Sequence, residues 1–253
     1  MAAVCGACEN LDGMIINPAW FGAGGVCAAA GIYAWGAAVP SSQLFGRTVR
    51  RTGDASCMAL TFDDGPNPAA TPRLLDLLAR YEAKATFFLI GRHVRAFPAI
   101  AKEIAARGHA LGNHTESHPS LALLSSGRIA EELNRCDEAI LSSTAVKPRW
   151  MRPPYGFRNP LLNGIVTQRG NAGVAMWSAM ARDWETQAAE LVIQRLRRAR
   201  GGDIVLLHDG DHRVLQGDRL HVVKAMEYWL PRWKDAGIYF ASMDEIEKNV
   251  RAD

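Results

Sequence analysis

From Arg51 onward the sequence alternates short apolar runs with longer amphipathic stretches, and this alternation restricts the possible folds more than any other feature. Short apolar runs are typical of buried strands, whereas apolar residues three and four apart are typical of helices. Seven predicted strands follow in order: CMALTF, ATFFLI, HALGN, PRWMR, GVAMW, DIVLLH and IYFASM. Because strands that alternate with helices form parallel sheets, the sequence predicts a single α/β barrel or open parallel sheet.

Each predicted strand is followed by a stretch of helical periodicity, and no long linker or short repeat interrupts the series. The predicted helices are TPRLLDLLARY, PAIAKEIAARG, SGRIAEELNRCDEAILSS, NPLLNGIVTQRG, AAELVIQRLRRAR, DRLHVVKAMEYWLPRWKDAG and DEIEKNV. Thr71 and Pro72 suit the N-cap and the first helical position of the first helix. Gly108 suits the C-terminal end of the second helix.

Composition and charge exclude several classes of protein. The fractions of apolar residues (48%) and charged residues (22%) are ordinary for a soluble globular domain. A net charge of +3 is too small to predict a nucleic-acid or acidic partner. Five scattered cysteines predict no disulfide framework, and the C-x-x-C at Cys5 and Cys8 lacks the second pair that a zinc ribbon needs.

The N-terminal part of the chain differs from the rest. Residues 13–46 carry no charged side chain, and AWFGAGGVCAAAGIYAWGAAV is long enough to cross a bilayer, although it is rich in Gly and Ala. Acidic residues precede this run and arginines follow it, which favours a cytoplasmic C-terminal side. No basic region precedes it, so a cleavable signal peptide fits poorly. We predict an extension over residues 1–50, either membrane-associated or packed, before a catalytic domain over 51–253.

Functional side chains stand where five of the predicted strands end. Active sites of parallel α/β folds lie at the carboxyl ends of their strands. The five endings are TFDDGPNP with Asp63 and Asp64, GNHTESHPS with His114 and His118, RPPYG with Arg152, ARDW with Asp183 and Trp184, and LLHDG with Leu206 and His208. Taken singly, each has a structural explanation, such as an Asp-rich turn or a solvated loop. Their convergence on one end of a sheet favours a catalytic site.

These residue types make up the parts of a metal-assisted hydrolase. Two imidazoles four apart can share one face of a helical turn, and with one carboxylate they bind a cation that keeps an open position. Such a cation lowers the pKa of bound water to roughly 7. A second carboxylate can accept the proton of that water, and a histidine across the site can protonate the departing amine. The set predicts hydrolysis of an amide.

The sequence closely resembles the NodB-homology polysaccharide deacetylases, carbohydrate esterase family 4. The motifs that carry the resemblance are TFDDGP, HTESH, RPPYG, RDW and LLH, in the order of the family and within roughly residues 55–245. The resemblance implies a distorted (β/α)7 barrel. It also implies hydrolysis of N-acetyl groups on N-acetylglucosamine polymers such as chitin and peptidoglycan.

The resemblance also implies a role for each motif residue. Asp63 would be the general base, and Asp64, His114 and His118 would bind the metal. Arg152 would orient Asp63, and the backbone N–H of Tyr155 would bind the oxyanion. The remaining residues have these implied roles: His208 as general acid, Asp183 as support for His208 or Arg152, and Trp184 and Leu206 as the pocket for the acetyl methyl group.

Other features qualify the resemblance. A site of two histidines and one aspartate suits zinc, which we expect by default, and also cobalt, manganese, nickel or iron. Met180 stands where the family usually has an aspartate, which affects substrate contacts more than hydrolysis. Four histidines match no motif and are interpreted as surface or packing residues: His93, His109, His212 and His221. His212 lies near enough to the LLH motif to contact substrate.

Two other functions remain open on the same barrel. The apolar N-terminal part and its trailing arginines would suit a deacylase or deformylase of a lipid-linked aminosugar, which formate rather than acetate release would reveal. A barrel that binds sugar without turnover is the other alternative, although the base, the ligands and the acid are all present. A bacterial cell-envelope or membrane-associated location is favoured, and a cytoplasmic one is also possible.

Overall fold

The computed structural model of the protein describes residues 18–252. Its strands in chain order are β1 (Thr48–Val49), β2 (Cys57–Gly65), β3 (Ala85–Leu89), β4 (Ala110–Asn113), β5 (Trp150–Met151), β6 (Gly173–Ala175), β7 (Ala179–Met180), β8 (Ile204–His208) and β9 (Tyr239–Phe240). Its α-helices are α1 (Pro18–Ala38), α2 (Thr71–Arg80), α3 (Gly91–Ala96), α4 (Pro98–Ala106), α5 (Ser126–Thr144), α6 (Leu162–Gln168), α7 (Ala189–Leu196), α8 (Leu220–Asp235) and α9 (Met243–Ala252).

The strands form one curled parallel sheet. Hydrogen-bonded neighbours run in the order β1-β6-β5-β4-β3-β2-β8-β7, and β9 pairs with the first residues of β2. All pairings between these strands are parallel. Because β1 and β7 stand at the two ends of this order, the sheet is an open barrel. The predicted α/β architecture is confirmed.

The central strand β2 shows how the sequence sets the two faces of the sheet. All nine of its residues are buried, since β3 and β8 flank it. Met58, Leu60 and Phe62 belong to the large core that the helices share. Successive side chains of a strand point to opposite faces, so Thr61 and Asp63 point into the barrel. The period of two therefore places a carboxylate inside the barrel at the carboxyl end of its central strand.

The chain divides into two compact units, residues 1–35 and 36–253. Helix α1 carries no charged residue, and none of the helices in the described residues is long and apolar enough to span a membrane. Within the second unit, the buried Arg158 donates from Nη2 to the backbone oxygens of Gly36, Val39 and Ser42. This guanidinium fixes residues 36–42 against the barrel.

The structure corrects the predicted elements in three respects. The periodicity misses β1, β7 and α3 because they contain only two, two and six residues. Strands β5, β6 and β9 are shorter than predicted. The N-cap of α2 is Ala70, so the prediction of Thr71 was wrong. The Thr71 hydroxyl instead accepts from the backbone N–H of Asn67 and donates to Asp209, which makes it a tertiary contact.

The core predicts a sharp contrast between two Leu→Ala substitutions. Leu60 is fully buried in the large core, whereas Leu123 is 89% exposed. We expect Leu60→Ala to lower the free energy of unfolding by about 2–5 kcal/mol, because it leaves a cavity. Leu123→Ala removes the same atoms from the surface and should change the free energy of unfolding by less than about 0.5 kcal/mol. Urea denaturation of both variants measures this, and equal midpoints would contradict the assignment of the core.

Candidate metal centre and active site

A cavity of about 500 Å³ lies at the carboxyl ends of β2, β4 and β8. Eight of the ten predicted site residues line it: Asp63, Asp64, His114, His118, Tyr155, Trp184, Leu206 and His208. The other two, Arg152 and Asp183, are fully buried behind this lining. Met180 also lines the cavity, which is consistent with the expectation that its substitution for aspartate affects substrate contacts. The structure thus brings together all the residues that the five motifs indicate.

Asp64, His114 and His118 form a compact group of buried ligands. The Oδ1 atom of Asp64 lies 3.4 Å from Nε2 of His114 and 3.2 Å from Nε2 of His118. This oxygen is buried and accepts no hydrogen bond within the described residues. One donor atom from each residue lies within 4.8 Å of the others. A carboxylate oxygen and two imidazole nitrogens that converge in this way fit a divalent cation.

Hydrogen bonds to the backbone orient this group. The Nδ1 atom of His114 lies 2.8 Å from the backbone oxygen of Arg152. A carbonyl only accepts, so Nδ1 carries the proton and Nε2 presents its lone pair to the ligand group. The backbone N–H of His118 donates to the hydroxyl of Thr115 at 3.0 Å. Asp64 and His118 both adopt positive φ, at 68° and 63°. This left-handed conformation is uncommon outside glycine, and the surrounding contacts hold it.

The local electrostatics favours the metal-binding forms of these side chains. Burial alone would raise the pKa of the Asp64 carboxyl. Its interactions with the surrounding histidines, first of all His114 and His212, outweigh burial and hold this pKa well below its ordinary value. Burial lowers the pKa of His118 to about 2. At neutral pH, Asp64 is therefore ionised and His118 is neutral, and these forms bind metal.

Asp63 is held by a buried ion pair. Arg152 donates from Nη1 to Asp63 Oδ1 at 2.8 Å and to the Thr61 hydroxyl at 2.7 Å. The guanidinium stacks over the ring of Phe88, with 4.2 Å between its central carbon and the ring centroid. The second carboxylate oxygen of Asp63 lies 3.8 Å from His114 Nε2. One oxygen of Asp63 is thus fixed by arginine, and the other faces the ligand group.

His208 and Asp183 form a second buried pair on the other side of the cavity. Asp183 accepts from the Nδ1 of His208 at 3.0 Å and from its backbone N–H at 2.7 Å. Burial would lower the pKa of His208, but the charge and the hydrogen bond of Asp183 outweigh it and raise the pKa to about 9. The family resemblance implies that Asp183 supports either His208 or Arg152. In the structure, Asp183 contacts His208.

The remaining predicted residues border the ligand group. Tyr155 lies in a 3₁₀ turn, Pro154–Gly156, and has a positive φ of 58°. Its position in this first turn leaves its backbone N–H without an intrahelical acceptor. The Trp184 ring meets the His208 ring edge-on, with centroids 6.2 Å apart. Leu206 precedes His208 by two residues on β8, so both side chains point into the barrel, as the period of two predicts.

Three of the histidines outside the motifs contact site residues. His93 is buried and its Nδ1 lies 2.9 Å from the backbone oxygen of Asp64, and His221 Nε2 lies 3.0 Å from that of Asp183. Both are packing residues, as predicted, and both contact the backbone of a predicted site residue. His212 lines the cavity itself, and its closeness to the LLH motif was the one available sequence signal. His109 packs against Phe87, away from the cavity lining.

Comparisons with known proteins agree with this geometry. Residues 50–174 match the family model described as polysaccharide deacetylase. A peptidoglycan-N-acetylglucosamine deacetylase of Bacillus cereus is 36% identical over 75% of this chain and 87% of its own length. A chitooligosaccharide deacetylase of Azorhizobium caulinodans is 35% identical over 77% of this chain and 96% of its own.

Solved structures show the same likeness. A crystal structure of a peptidoglycan N-acetylglucosamine deacetylase, in complex with a substituted benzamide, superposes with a TM-score of 0.70 and 31% identity. The alignment covers 76% of this chain and 87% of that one. A pseudoenzyme of carbohydrate esterase family 4 from Bacillus anthracis also superposes with a TM-score of 0.70, at 28% identity, over 79% of this chain and 69% of its own.

The ligand group predicts that one histidine governs metal affinity and another does not. In His118→Gln the imidazole ligand is lost, so we expect zinc affinity to fall by more than about 10-fold. His109→Gln is the matched control, because His109 is also buried but does not line the cavity. Zinc occupancy of both variants can be measured by elemental analysis after dialysis. Equal occupancy in the two would contradict the assignment.

Proposed function

The chain belongs to the polysaccharide deacetylase family, carbohydrate esterase family 4, and we propose that its substrate is an N-acetylglucosamine-containing polysaccharide or oligosaccharide, either chitin-like or peptidoglycan. The protein is a hydrolase that removes N-acetyl groups from carbohydrate. One observation carries the proposal. A buried Asp–His–His group shares a single cavity with a carboxylate fixed by arginine and a histidine fixed by aspartate.

Asp64, His114 and His118 are the proposed ligands of one divalent cation, with zinc as the expected metal. When bound, the cation would act as a Lewis acid that polarises the amide carbonyl and acidifies water. The ligand forms described above, an ionised Asp64 and a neutral His118, support this assignment. The backbone contacts of His114 and His118 hold the ligands in place before any cation arrives.

Asp63 is the proposed general base. Its Oδ1 is occupied by Arg152, so Oδ2 is the oxygen that accepts the proton of the attacking water. That oxygen faces the ligand group, at 3.8 Å from His114 Nε2, where water would stand next to the scissile carbonyl. Arg152 also fixes the rotation of the carboxylate, which aims the lone pair of Oδ2 at the cavity. The two adjacent aspartates therefore have different proposed roles: Asp64 binds the metal, and Asp63 transfers the proton.

His208 is the proposed general acid. Asp183 occupies its Nδ1, so Nε2 is the nitrogen that gives a proton to the departing amine. The raised pKa of about 9 keeps this imidazole protonated at neutral pH, as an acid requires. The oxyanion would accept a hydrogen bond from the backbone N–H of Tyr155, a residue that adopts the left-handed conformation in the turn Pro154–Gly156. Trp184 and Leu206 form the proposed pocket for the acetyl methyl group.

Acetate release tests the proposed function directly. The protein is stripped with a chelator and incubated with an N-acetylglucosamine oligomer, alone and after addition of zinc or cobalt. We expect acetate only after metal is restored. Absence of acetate with every metal would contradict the proposed substrate. Formate release from a formylated, lipid-linked aminosugar would then identify the alternative function.

Removal of the base should separate metal binding from turnover. In Asp63→Asn we expect zinc occupancy to stay at the wild-type level while turnover falls by about 10²–10⁴, because the amide cannot accept the proton. Asp76→Asn is the matched control, since Asp76 is exposed and pairs with Arg107 far from the cavity lining. Acetate release and elemental analysis on both variants measure the two effects. Wild-type turnover in Asp63→Asn would exclude this residue as the base.

The pH profile should report the His208–Asp183 pair. A raised pKa means that the protonated form persists to higher pH, so activity that needs the acid is lost as pH rises through that pKa. A bound cation disfavours the imidazolium, so we expect this loss between the ordinary pKa of 6.5 and about 9. Asp183→Asn removes the stabilising charge and should move the loss to lower pH. An unshifted alkaline limb of kcat/KM in this variant would exclude His208 as the acid.

A further inference from the structure

His212 lies at the ligand group although it belongs to none of the five motifs. It follows β8 in the loop that starts at Asp209, and its ring stacks on the ring of His118 with centroids 4.2 Å apart and planes 20° apart. Its Nδ1 atom lies 3.5 Å from the Oδ2 atom of Asp64. Arg92 donates a hydrogen bond to the backbone oxygen of His212, which ties this loop to α3. The imidazole is therefore held in place by contacts on both its ring and its backbone.

The two oxygens of Asp64 have different surroundings. Oδ1 faces the Nε2 atoms of His114 and His118, whereas Oδ2 faces His212. A carboxylate that rotates freely would present either oxygen, or both, to a cation. A donor on Oδ2 leaves Oδ1 as the single ligand atom and fixes the plane of the carboxylate. His212 Nδ1, at 3.5 Å from Oδ2, stands where such a donor would be.

The tautomer of His212 follows from the carboxylate that faces its Nδ1 atom. The hydroxyl of Tyr155 lies 3.3 Å from Nε2 of His212. An ionised carboxylate only accepts hydrogen bonds, so the Nδ1 that faces Asp64 must carry a proton. In the neutral ring, Nε2 then accepts from the Tyr155 hydroxyl. The contacts form a chain from the tyrosine hydroxyl through the imidazole to the free oxygen of the metal ligand.

We propose that His212 is a positioning residue that donates from Nδ1 to Asp64 Oδ2 and thereby holds Asp64 Oδ1 toward the metal, while the Tyr155 hydroxyl binds its Nε2 and orients the ring. This role rests on the proposed metal centre. His212 is not a fourth ligand, because within the described residues the group of mutually close donor atoms contains only Asp64, His114 and His118. Its place on Asp64 distinguishes it from a residue that merely packs against His118.

Substitutions at position 212 can separate the donor from the ring. His212→Phe keeps an aromatic ring to stack on His118 and removes both nitrogens. His212→Asn keeps an N–H donor near the place of Nδ1 and removes the ring. Val214→Ala is the control on the same loop, because Val214 is exposed and does not line the cavity. Tyr155→Phe removes only the hydroxyl that contacts Nε2 of His212.

Zinc affinity of the full chain, measured by competition with a chromophoric chelator, is the primary readout. We expect His212→Phe to weaken zinc binding by about 10–100-fold, the usual effect of losing a partner of a metal ligand. His212→Asn should recover most of this loss, Tyr155→Phe should show a smaller loss, and Val214→Ala should bind zinc as the wild type does. With saturating zinc, kcat of His212→Phe should fall while KM changes little, since the proposed contact orients a ligand rather than substrate.

Each contrary result overturns a defined part of the inference. Wild-type zinc affinity in His212→Phe would overturn the positioning role while leaving the metal centre intact. Equal losses in His212→Phe and His212→Asn would overturn the donor role. If the wild-type protein itself bound no zinc, the proposed metal centre would fail, and the role of His212 with it. Should His212→Phe not fold, as seen by circular dichroism, Tyr155→Phe and His212→Asn still decide, and wild-type affinity in Tyr155→Phe would overturn the chain of contacts.

Discussion

The buried ion pair of Arg152 and Asp63 is the interaction on which the site and the barrel interior both depend. The guanidinium is fully buried, and besides Asp63 it binds Thr61 and the backbone oxygens of Ala175 and Met176. The backbone oxygen of Arg152 accepts from Nδ1 of His114 and thereby keeps the ring proton on that nitrogen. Removing one partner of such a pair typically costs about 3–5 kcal/mol, because a buried charge is left unpaired. Only arginine offers a planar fork of donors that can serve β2 and β6 at once. One residue thus couples the carboxylate proposed as base, one proposed metal ligand and the packing of the sheet.

The site gives imidazoles opposite protonation states within one cavity. Burial dominates at His118 and keeps the ring neutral, whereas Asp183 overcomes burial at His208 and keeps the ring charged. The two neighbouring carboxylates have different partners: Asp63 pairs with Arg152, and Asp64 faces His114 and His118. Environments that separate the pKa values of like groups assign them different roles in catalysis. The fold therefore gives two histidines of one cavity different protonation states, which the residue types alone do not determine.

Much of this architecture could be predicted from local pattern, and the exceptions have physical causes. Strands β2, β3, β4 and β8 are buried runs that sequence analysis can identify, and the polar residues at the ends of β2, β4 and β8 line the cavity. Strands β1 and β7 are too short to show a period. The contact of Asp183 with His208 and the position of His212 beside His118 depend on the conformation of the loops that follow the strands. Sequence spacing within one motif does not predict that conformation. Thr71 was predicted as the N-cap of α2 because its hydrogen-bond partner Asp209 is distant in sequence and local pattern cannot indicate it.

The short strand β1 has a consequence for how the barrel could be excised or recombined. Its two residues cover the outer edge of β6, and the segment just before it supplies the three carbonyl oxygens that receive Arg158. A fragment cut at Arg51, where the sequence pattern changes, would bare that edge and leave a buried guanidinium without acceptors. A bare sheet edge is a template for pairing with another chain. The residues from Gly36 to Val49 thus cover a sheet edge and a buried guanidinium, so we expect a fragment that keeps its fold to begin upstream of the recognisable motifs.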